Sequence, residues 1–534
     1  MIGQRREGAA KEKLSAHAME ILSNLATGFA VALTPINLLY CFLGSFIGTA
    51  IGVLPGLGPP ATIALLLPVT YGIPATSAVI LLAGIFYGAM YGGSTTSILL
   101  NIPGEAASVV TCLDGYQMAR QGRAGVALAI SAFGSFIAGT LSIFGLILLA
   151  PPLASFAIKF GPPENFALLV LGLTMVGYLA GASMARGLMM ACLGLLLGTV
   201  GLDPIMGTQR FTYGVFKLSE GFEFILVAMG LFGIGEVLVN VEQTIKAEVF
   251  QTKIRGLLPN REEWRASAAP IARGSLLGFF VGVLPGGGAI ISSFISYALE
   301  KKLSRHPERF GKGAIEGVAA PEAANNSAAT GSFIPLLTLG IPGNASIAMI
   351  FAALLIHGVR PGPLLVTEKP DVFWGLVASM YIGNIMLLVL NLPLIGLWVK
   401  LLRAPYPLLA PLILVFVIIG AYSVNNSVFD VGTTVAFGAF GYLMRKCNFE
   451  PAPLVLAMIL GPQLEASLRR SLIYSRGNLG VFFERPIAAV LMALALLMLL
   501  SPLLRWALSR KFSKVEQPAS DAEVTGDKSD VVSK

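Results

Sequence analysis

With 534 residues, 55% hydrophobic and only 12% charged, and a mean hydropathy of +0.77, the chain excludes an ordinary soluble globule, in which roughly a quarter of residues are charged. Its formal net charge of +8 sits in short connections and at the two ends, which reads as membrane topology rather than nucleic-acid affinity. The expectation is an all-α polytopic membrane protein of about 12 transmembrane segments, each needing about 20 mostly apolar residues.

Residues 1–18 read as a polar cytoplasmic N-terminus, because Arg5, Arg6, Lys11 and Lys13 precede the first apolar segment. No cleavable signal peptide is evident. A helix from about Met19 to Thr34 leads, past Pro35, into Gly44-Ser45-Phe46-Ile47-Gly48-Thr49-Ala50-Ile51-Gly52-Val53-Leu54-Pro55-Gly56-Leu57-Gly58. Glycine at every fourth position lets another helix approach closely, and the Pro-Gly pair then breaks the helix. After the short segment Ala61 to Val69 and the apolar Thr76 to Tyr91 comes the polar run Gly92 to Ser97, then Asn101-Ile102-Pro103-Gly104-Glu105. Four further apolar stretches, roughly 126–150, 165–182, 186–200 and 222–240, complete a first membrane repeat over 19–240.

A charged cytoplasmic linker (241–270) separates this from a second half, 271–507, which opens on the same motif. Gly274, Ser275, Gly278, Gly282, Val283, Leu284, Pro285, Gly286 and Gly288 repeat the first copy 230 positions later. The Ile-Pro-Gly of 102–104 also recurs, at 341–343, again behind a run of small polar residues that contains Pro321-Glu322-Ala323-Ala324-Asn325-Asn326-Ser327. The connection at Tyr71 to Thr76 is uncharged, whereas its counterpart, Glu300 to Lys312, is basic. Equivalent points then lie on opposite membrane faces, so the halves read as two inverted repeats with broken helices or re-entrant hairpins. About four apolar stretches follow, and the tail 508–534 reads as disordered and cytoplasmic, since Arg505, Arg510, Lys511 and Lys514 mark its side of the membrane.

Broken helices offer free N–H groups and positive dipole ends to carboxylates, and unwound carbonyls and hydroxyls to a small cation. The candidate substrate-binding residues beside the breaks are Ser94, Thr95, Thr96, Ser97, Asn101 and Gly104, then Asn325, Asn326, Ser327, Thr330, Asn344 and Ser346. The bland alternative is that these groups cap and glue helices, at about 1 kcal/mol each. Gly48, Gly52, Pro55, Gly56, Gly58, Gly278, Gly282, Pro285, Gly286 and Gly288 form the ion-coupling or structural motif, with Glu322 as a candidate proton or cation partner. Glu105, directly after Pro103-Gly104, reads either as a helix N-cap or as a functional carboxylate. Glu164, Asp203, Glu236, Asp430 and Glu465 read as interface markers at segment ends.

Cys41, Cys112, Cys192 and Cys447 have no paired spacing, and His17, His306 and His357 are isolated, so neither a disulfide framework nor a metal site is expected. Motifs for metalloprotease, serine hydrolase and P-loop chemistry are missing from the sequence. No catalytic role and no cofactor are expected.

The Gly-x-x-x-Gly-Val-Leu-Pro-Gly-Leu-Gly-Pro-Pro of 48–60, the run from Tyr91 to Glu105, and Pro321 to Ser327 resemble the large membrane subunit of tripartite tricarboxylate transporters, the TctA family. Phe440 to Arg445, Pro451 to Val455 and Leu460 to Glu465 share the likeness. That resemblance implies a secondary transporter of the bacterial inner membrane, in which the flanking basic residues read above would put both termini in the cytoplasm. It would import citrate, another tricarboxylate or a dicarboxylate by symport with sodium or a proton. It also implies a small membrane subunit and a periplasmic solute-binding protein as partners, and no nucleic acid. The alternative from another class is a channel or exporter for small organic anions that needs no binding protein. A membrane-embedded enzyme is a third reading, disfavoured by the scattered histidines and cysteines.

Overall fold

The computed structural model describes residues 19–54, 58–179, 183–203, 206–242, 256–284, 286, 288–402 and 406–513. The sequence motif's Pro55, Gly56 and Pro285 lie outside the described residues, as do the first 18 residues, the linker over 243–255 and the tail from 514. The first half runs α1 (Met19–Ala32), α2 (Pro35–Val53), α3 (Pro59–Leu66), α4 (Ala75–Leu100), α5 (Val109–Arg120), α6 (Ala124–Ala157), α7 (Pro162–Leu179), α8 (Met184–Gly198), α9 (Phe224–Ala228) and α10 (Gly235–Glu242). The second runs α11 (Arg261–Val283), α12 (Gly288–Leu303), α13 (Glu316–Gly331), α14 (Phe333–Leu339), α15 (Ala345–Ile356), α16 (Leu365–Glu368) and α17 (Pro370–Asn391). It ends with α18 (Ile395–Leu401), α19 (Tyr406–Asn425), α20 (Val428–Lys446), α21 (Pro451–Tyr474), α22 (Val481–Glu484) and α23 (Pro486–Ser513). A two-residue β-pair, Gly201–Leu202 against Gln209–Arg210, is the exception to helix among the described residues. Eight of the described helices are long and apolar enough to cross a membrane.

Glycine spacing dictates the packing of both halves. Along α2, Gly44, Gly48 and Gly52 each face a backbone carbonyl of α4, on Leu81, Ile85 and Ala89. Along α11, Gly274, Gly278 and Gly282 face the carbonyls of Ala320, Ala324 and Ala328 on α13. A Cβ at Gly48 would lie 2.8 Å from Ile85 Cα, and one at Gly278 2.7 Å from Ala324 Cα, so only glycine allows either pair to meet. The contacted residues are 239 positions apart, the offset that also relates Ile102 to Ile341 and the left-handed Asn101 (φ 58°) to Gly340 (φ 68°). The duplication therefore extends from sequence to matched contacts. α4 is the most enclosed of the eight apolar helices, with 89% of its apolar window buried.

Each half folds its break back on itself. Ser77, at the start of α4, donates to Asn37 Oδ1 at 2.5 Å, so the chain through α3 returns to the level where α2 began. The hairpin of α11 and α12 is closed by the two-pronged Arg273–Glu300 ion pair, both contacts 2.7 Å. The Ile-Pro-Gly turn then meets the break of its own half: Gly286 N–H donates to the Gly343 carbonyl at 2.6 Å, while Gly104 abuts Gly52 and Gly93. Between the halves, Phe86 packs on Phe333 with the rings tilted, Ser94 bonds Glu322, and Ile98 and Val318 both lie against Gly115. Numbers rise along α4 as they fall along α13, so these equivalent helices cross antiparallel.

The structure extends the sequence reading at two stretches. α4 continues past the apolar Thr76 to Tyr91 through the polar run Gly92 to Ser97, and Pro321 to Ser327 is helical within α13. In both, small polar side chains bond neighbouring helices without ending the helix, which continues past Pro321 although that residue donates no ladder bond. The last ten residues assigned to the linker begin α11, where Asn260 and Glu263 form a capping box.

Gly278→Leu is expected to destabilise the folded chain by roughly 3 kcal/mol or more through backbone overlap. Gly72→Ala, with nothing within 4 Å of an added Cβ, serves as control. Thermal denaturation in detergent checks this, and equal melting temperatures for both variants would contradict the packing.

Candidate functional site

α4, α5, α6 and α13 bring most of the candidate side chains into one buried polar layer. Glu322, on α13, is 0% exposed. Its Oε2 accepts from Ser94 at 2.5 Å and its Oε1 from Thr111 of α5, while Ser131 of α6 faces the same carboxylate. One turn on, Asn325 donates through Nδ2 to Glu105 Oε1 at 3.1 Å. Asn326 donates to Ser135 at 2.7 Å. Ser327 donates to the Ser275 carbonyl, which leaves it to accept from Ser142, both at 2.5 Å.

Glu105 does cap a helix, as the residue after Pro-Gly suggests. Its Oε2 accepts from Ala107 N–H at 2.9 Å, and its own N–H donates to Ser108 at 3.4 Å. It also reaches the opposite half through Asn325, so the cap and the cross-half contact are made by one carboxylate. At the equivalent position Asn344 caps α15, accepting from Ile347 N–H at 3.0 Å. Ser346 is buried in the first turn of that helix.

Not every candidate belongs to the layer. Thr96 donates to the Val53 carbonyl at 2.7 Å and so satisfies the unwound end of α2. Ser97 donates to Ser108 at 2.9 Å. Thr95 and Thr330 are buried nearby, whereas Asn101 is exposed and turns the chain in a left-handed conformation. The end of the first break is held from a distance: Gly58 N–H donates to Glu236 Oε1 at 3.2 Å, and Arg445 pairs with Glu236 at 3.4 Å. A π-helical turn at Met229–Ile234 immediately precedes Glu236. Glu164 pairs with Arg485, and Asp203 and Glu465 with Arg210 and Arg469. Hydrogen bonds to Glu465 and Asp203 raise the Arg210 pKa, so this surface arginine stays charged.

Two electrostatic facts stand out. Among the described residues no lysine, arginine or histidine pairs with Glu105 or Glu322. Asn325 Oδ1 is also buried without a partner; flipping its amide would set that oxygen against the Glu105 carboxylate and so cannot relieve it. Buried carboxylates need a cation or a proton to be tolerated. A carboxylate from each half, with hydroxyl and amide oxygens between them, can hold and release such a charge. Among the described residues no group of three or more His, Cys, Asp or Glu is placed to bind a metal.

The sequence reading missed Ser108, Thr111, Ser131, Ser135 and Ser142. The last three share one face of α6 at helical spacing, a signal that was present within a stretch read as plainly apolar.

The description "Tripartite tricarboxylate transporter TctA family" matches residues 38–456. The chain belongs to this family. It is 53% identical over 478 residues to an uncharacterized 52.8 kDa protein in the TAR-I ttuC' 3' region of Agrobacterium vitis, covering 90% of this chain and 95% of that protein. A second A. vitis relative, an uncharacterized protein in the TAR-II ttuC' 3' region, is 54% identical over 227 residues, 42% of this chain and 94% of its own length. No solved structure matches. The TctA chain is thus a multi-pass membrane component of a tripartite transport system.

Ser94→Ala is expected to cost about 1–3 kcal/mol by leaving a buried acceptor short of a donor, and far less in a Glu322→Ala background. Unfolding of the four members of this cycle tests the pairing, and additive losses would contradict it.

Proposed function

We propose that this TctA chain is the carrier subunit of a bacterial inner-membrane importer that takes up a tricarboxylate or dicarboxylate, citrate among them, by symport with sodium or a proton. Its partners are a small membrane subunit and a periplasmic solute-binding protein that delivers the substrate. Both termini are cytoplasmic, and the two halves are inverted repeats related by an axis in the membrane plane. The antiparallel crossing of the equivalent helices α4 and α13 supports that symmetry. So does the pairing of each Pro-Gly break with its own Ile-Pro-Gly turn.

The observation that carries the coupled mechanism is the pair of buried carboxylates without a cationic partner. Glu105 belongs to the first half and Glu322 to the second, so a cation or proton bound between them is sensed by both. Loading it removes net negative charge from the centre of the bundle, which lowers the cost of admitting a carboxylate substrate nearby. The substrate is held by hydroxyl and amide groups of Ser94, Thr95, Asn325, Asn326 and Ser327, and by helix starts at Gly104, Asn344 and Ser346, while Thr96 and Ser97 support the layer through Val53 and Ser108. Gly48, Gly52, Gly278 and Gly282 let the halves hold this layer at close range. Relative movement of the halves then alternates access.

The test is uptake of labelled citrate and a panel of carboxylates into vesicles containing the chain and its small membrane subunit. The soluble partner and each cation gradient are supplied or withheld. Uptake is expected to need both, and Glu322→Gln, which matches the size of the side chain but keeps an acceptor for only one of Ser94 and Thr111, is expected to lower gradient-driven uptake at least tenfold. Flux that persists without gradient or soluble partner would overturn the reading in favour of a channel or unassisted exporter.

A further inference from the structure

A cavity of about 400 Å³ lies between α7, α21 and the Ile-Pro-Gly turn of the second half. That volume is at the small end of the range for ligand sites. Leu168, Leu169, Leu339 and Ile341 form its apolar wall, and Asn165, Gln463, Ser467 and Arg470 supply the polar groups. No carboxylate lines it.

The charges around the cavity are otherwise satisfied. Arg469 and Arg210 pair with Asp203 and Glu465, and Arg485 pairs with Glu164, the neighbour of Asn165. Arg470, one position along α21 from the paired Arg469, has no carboxylate partner among the described residues. Its guanidinium presents a planar fork of donors suited to a carboxylate. Asn165 lies in the first turn of the 18-residue α7, where the helix dipole also favours an anion. Ser467 and Arg470 fall beyond both residues 38–456, which match the family description, and the likeness at Leu460 to Glu465.

We propose that this cavity binds a small carboxylate through Arg470, Asn165, Gln463 and Ser467, as an outer site beside the second broken helix and apart from the buried layer of Glu105 and Glu322. Arg470 neutralises and orients the anion, and the apolar wall accepts its carbon skeleton. Binding here concentrates substrate next to the turn at Ile341; that role in uptake, though not the binding, rests on the symport reading.

The experiment places a cysteine at Ser467, or at Ala466 on the same cavity wall, in full-length chain with the exposed Cys192 and Cys447 replaced by serine. Its rate of modification by a charged, membrane-impermeant thiol reagent is followed with citrate, a dicarboxylate, phosphate or chloride at constant ionic strength. The comparison is made in vesicles of zwitterionic lipid with and without anionic lipid. Citrate or the dicarboxylate is expected to slow modification at least fivefold at either reporter. Arg470→Gln is expected to abolish that protection, and Arg470→Lys to restore part of it. Arg470→Gln should also raise the uptake KM at least fivefold with little change in kcat. Protection unaffected by Arg470→Gln, no protection by either carboxylate, or protection by anionic lipid alone would overturn the site, the last marking a headgroup contact. Protection that holds while wild-type uptake shows no gradient dependence would leave the carboxylate site standing and remove the symport reading instead.

Discussion

The approach of a glycine-lined helix face to the backbone carbonyls of its neighbour organises this protein. Without a hydrophobic force to drive helices together inside a bilayer, close van der Waals contact has to supply the attraction. Gly44, Gly48 and Gly52 against α4, and Gly274, Gly278 and Gly282 against α13, provide it twice. Because the glycine rows end at the helix breaks, the same contact that binds each helix pair also delivers the break to its Ile-Pro-Gly turn. The turn is then fixed by backbone groups, as in the Gly286–Gly343 bond. From it start the helices capped by Glu105 and Asn344.

Polar chemistry follows from this arrangement rather than competing with it. α13 is gripped on one side by α11 and turns Glu322, Asn325, Asn326 and Ser327 towards α4, α5 and α6. The partners it meets there are hydroxyls and one carboxylate, with no basic side chain paired to either acid. Elsewhere Glu236 pairs with Arg445, Glu164 with Arg485 and Glu300 with Arg273, while the buried Asp114 accepts from the N–H groups of Gly311, Gly313 and Ala314 and from Tyr297. Basic side chains or a cluster of backbone N–H groups thus hold these carboxylates, and neither holds Glu322 at the centre.

Much of this was legible in the sequence because a glycine at every fourth position, repeated after 230 residues, has few explanations other than backbone contact. The paired Ile-Pro-Gly turns and the family membership were legible for the same reason. What glycine spacing does not encode is the partner surface, so α4 and α13 as its docking rows emerged only in three dimensions. Gly92 to Ser97 showed only as a polar run after the apolar Thr76 to Tyr91, because composition cannot show that its hydroxyls are satisfied by Val53, Ser108 and Glu322. Ser131, Ser135 and Ser142 were hidden in an apolar helix for the opposite reason, their spacing being plain but their partners remote. Glu236 and Arg445 are 209 positions apart, and neither carries a local signal of the other.

The proposed inverted symmetry requires two halves that enter the membrane from opposite faces and meet where α4 crosses α13. Its most direct measurement is the sidedness of the two hairpin connections, read as labelling of Gly72→Cys and Ser304→Cys by an impermeant thiol reagent in sealed vesicles of known orientation, in a background lacking Cys192 and Cys447. The account predicts that the two positions are labelled from opposite faces, with Ser304→Cys on the cytoplasmic side beside Lys301, Lys302 and Arg305. Labelling of both from the same face would contradict it.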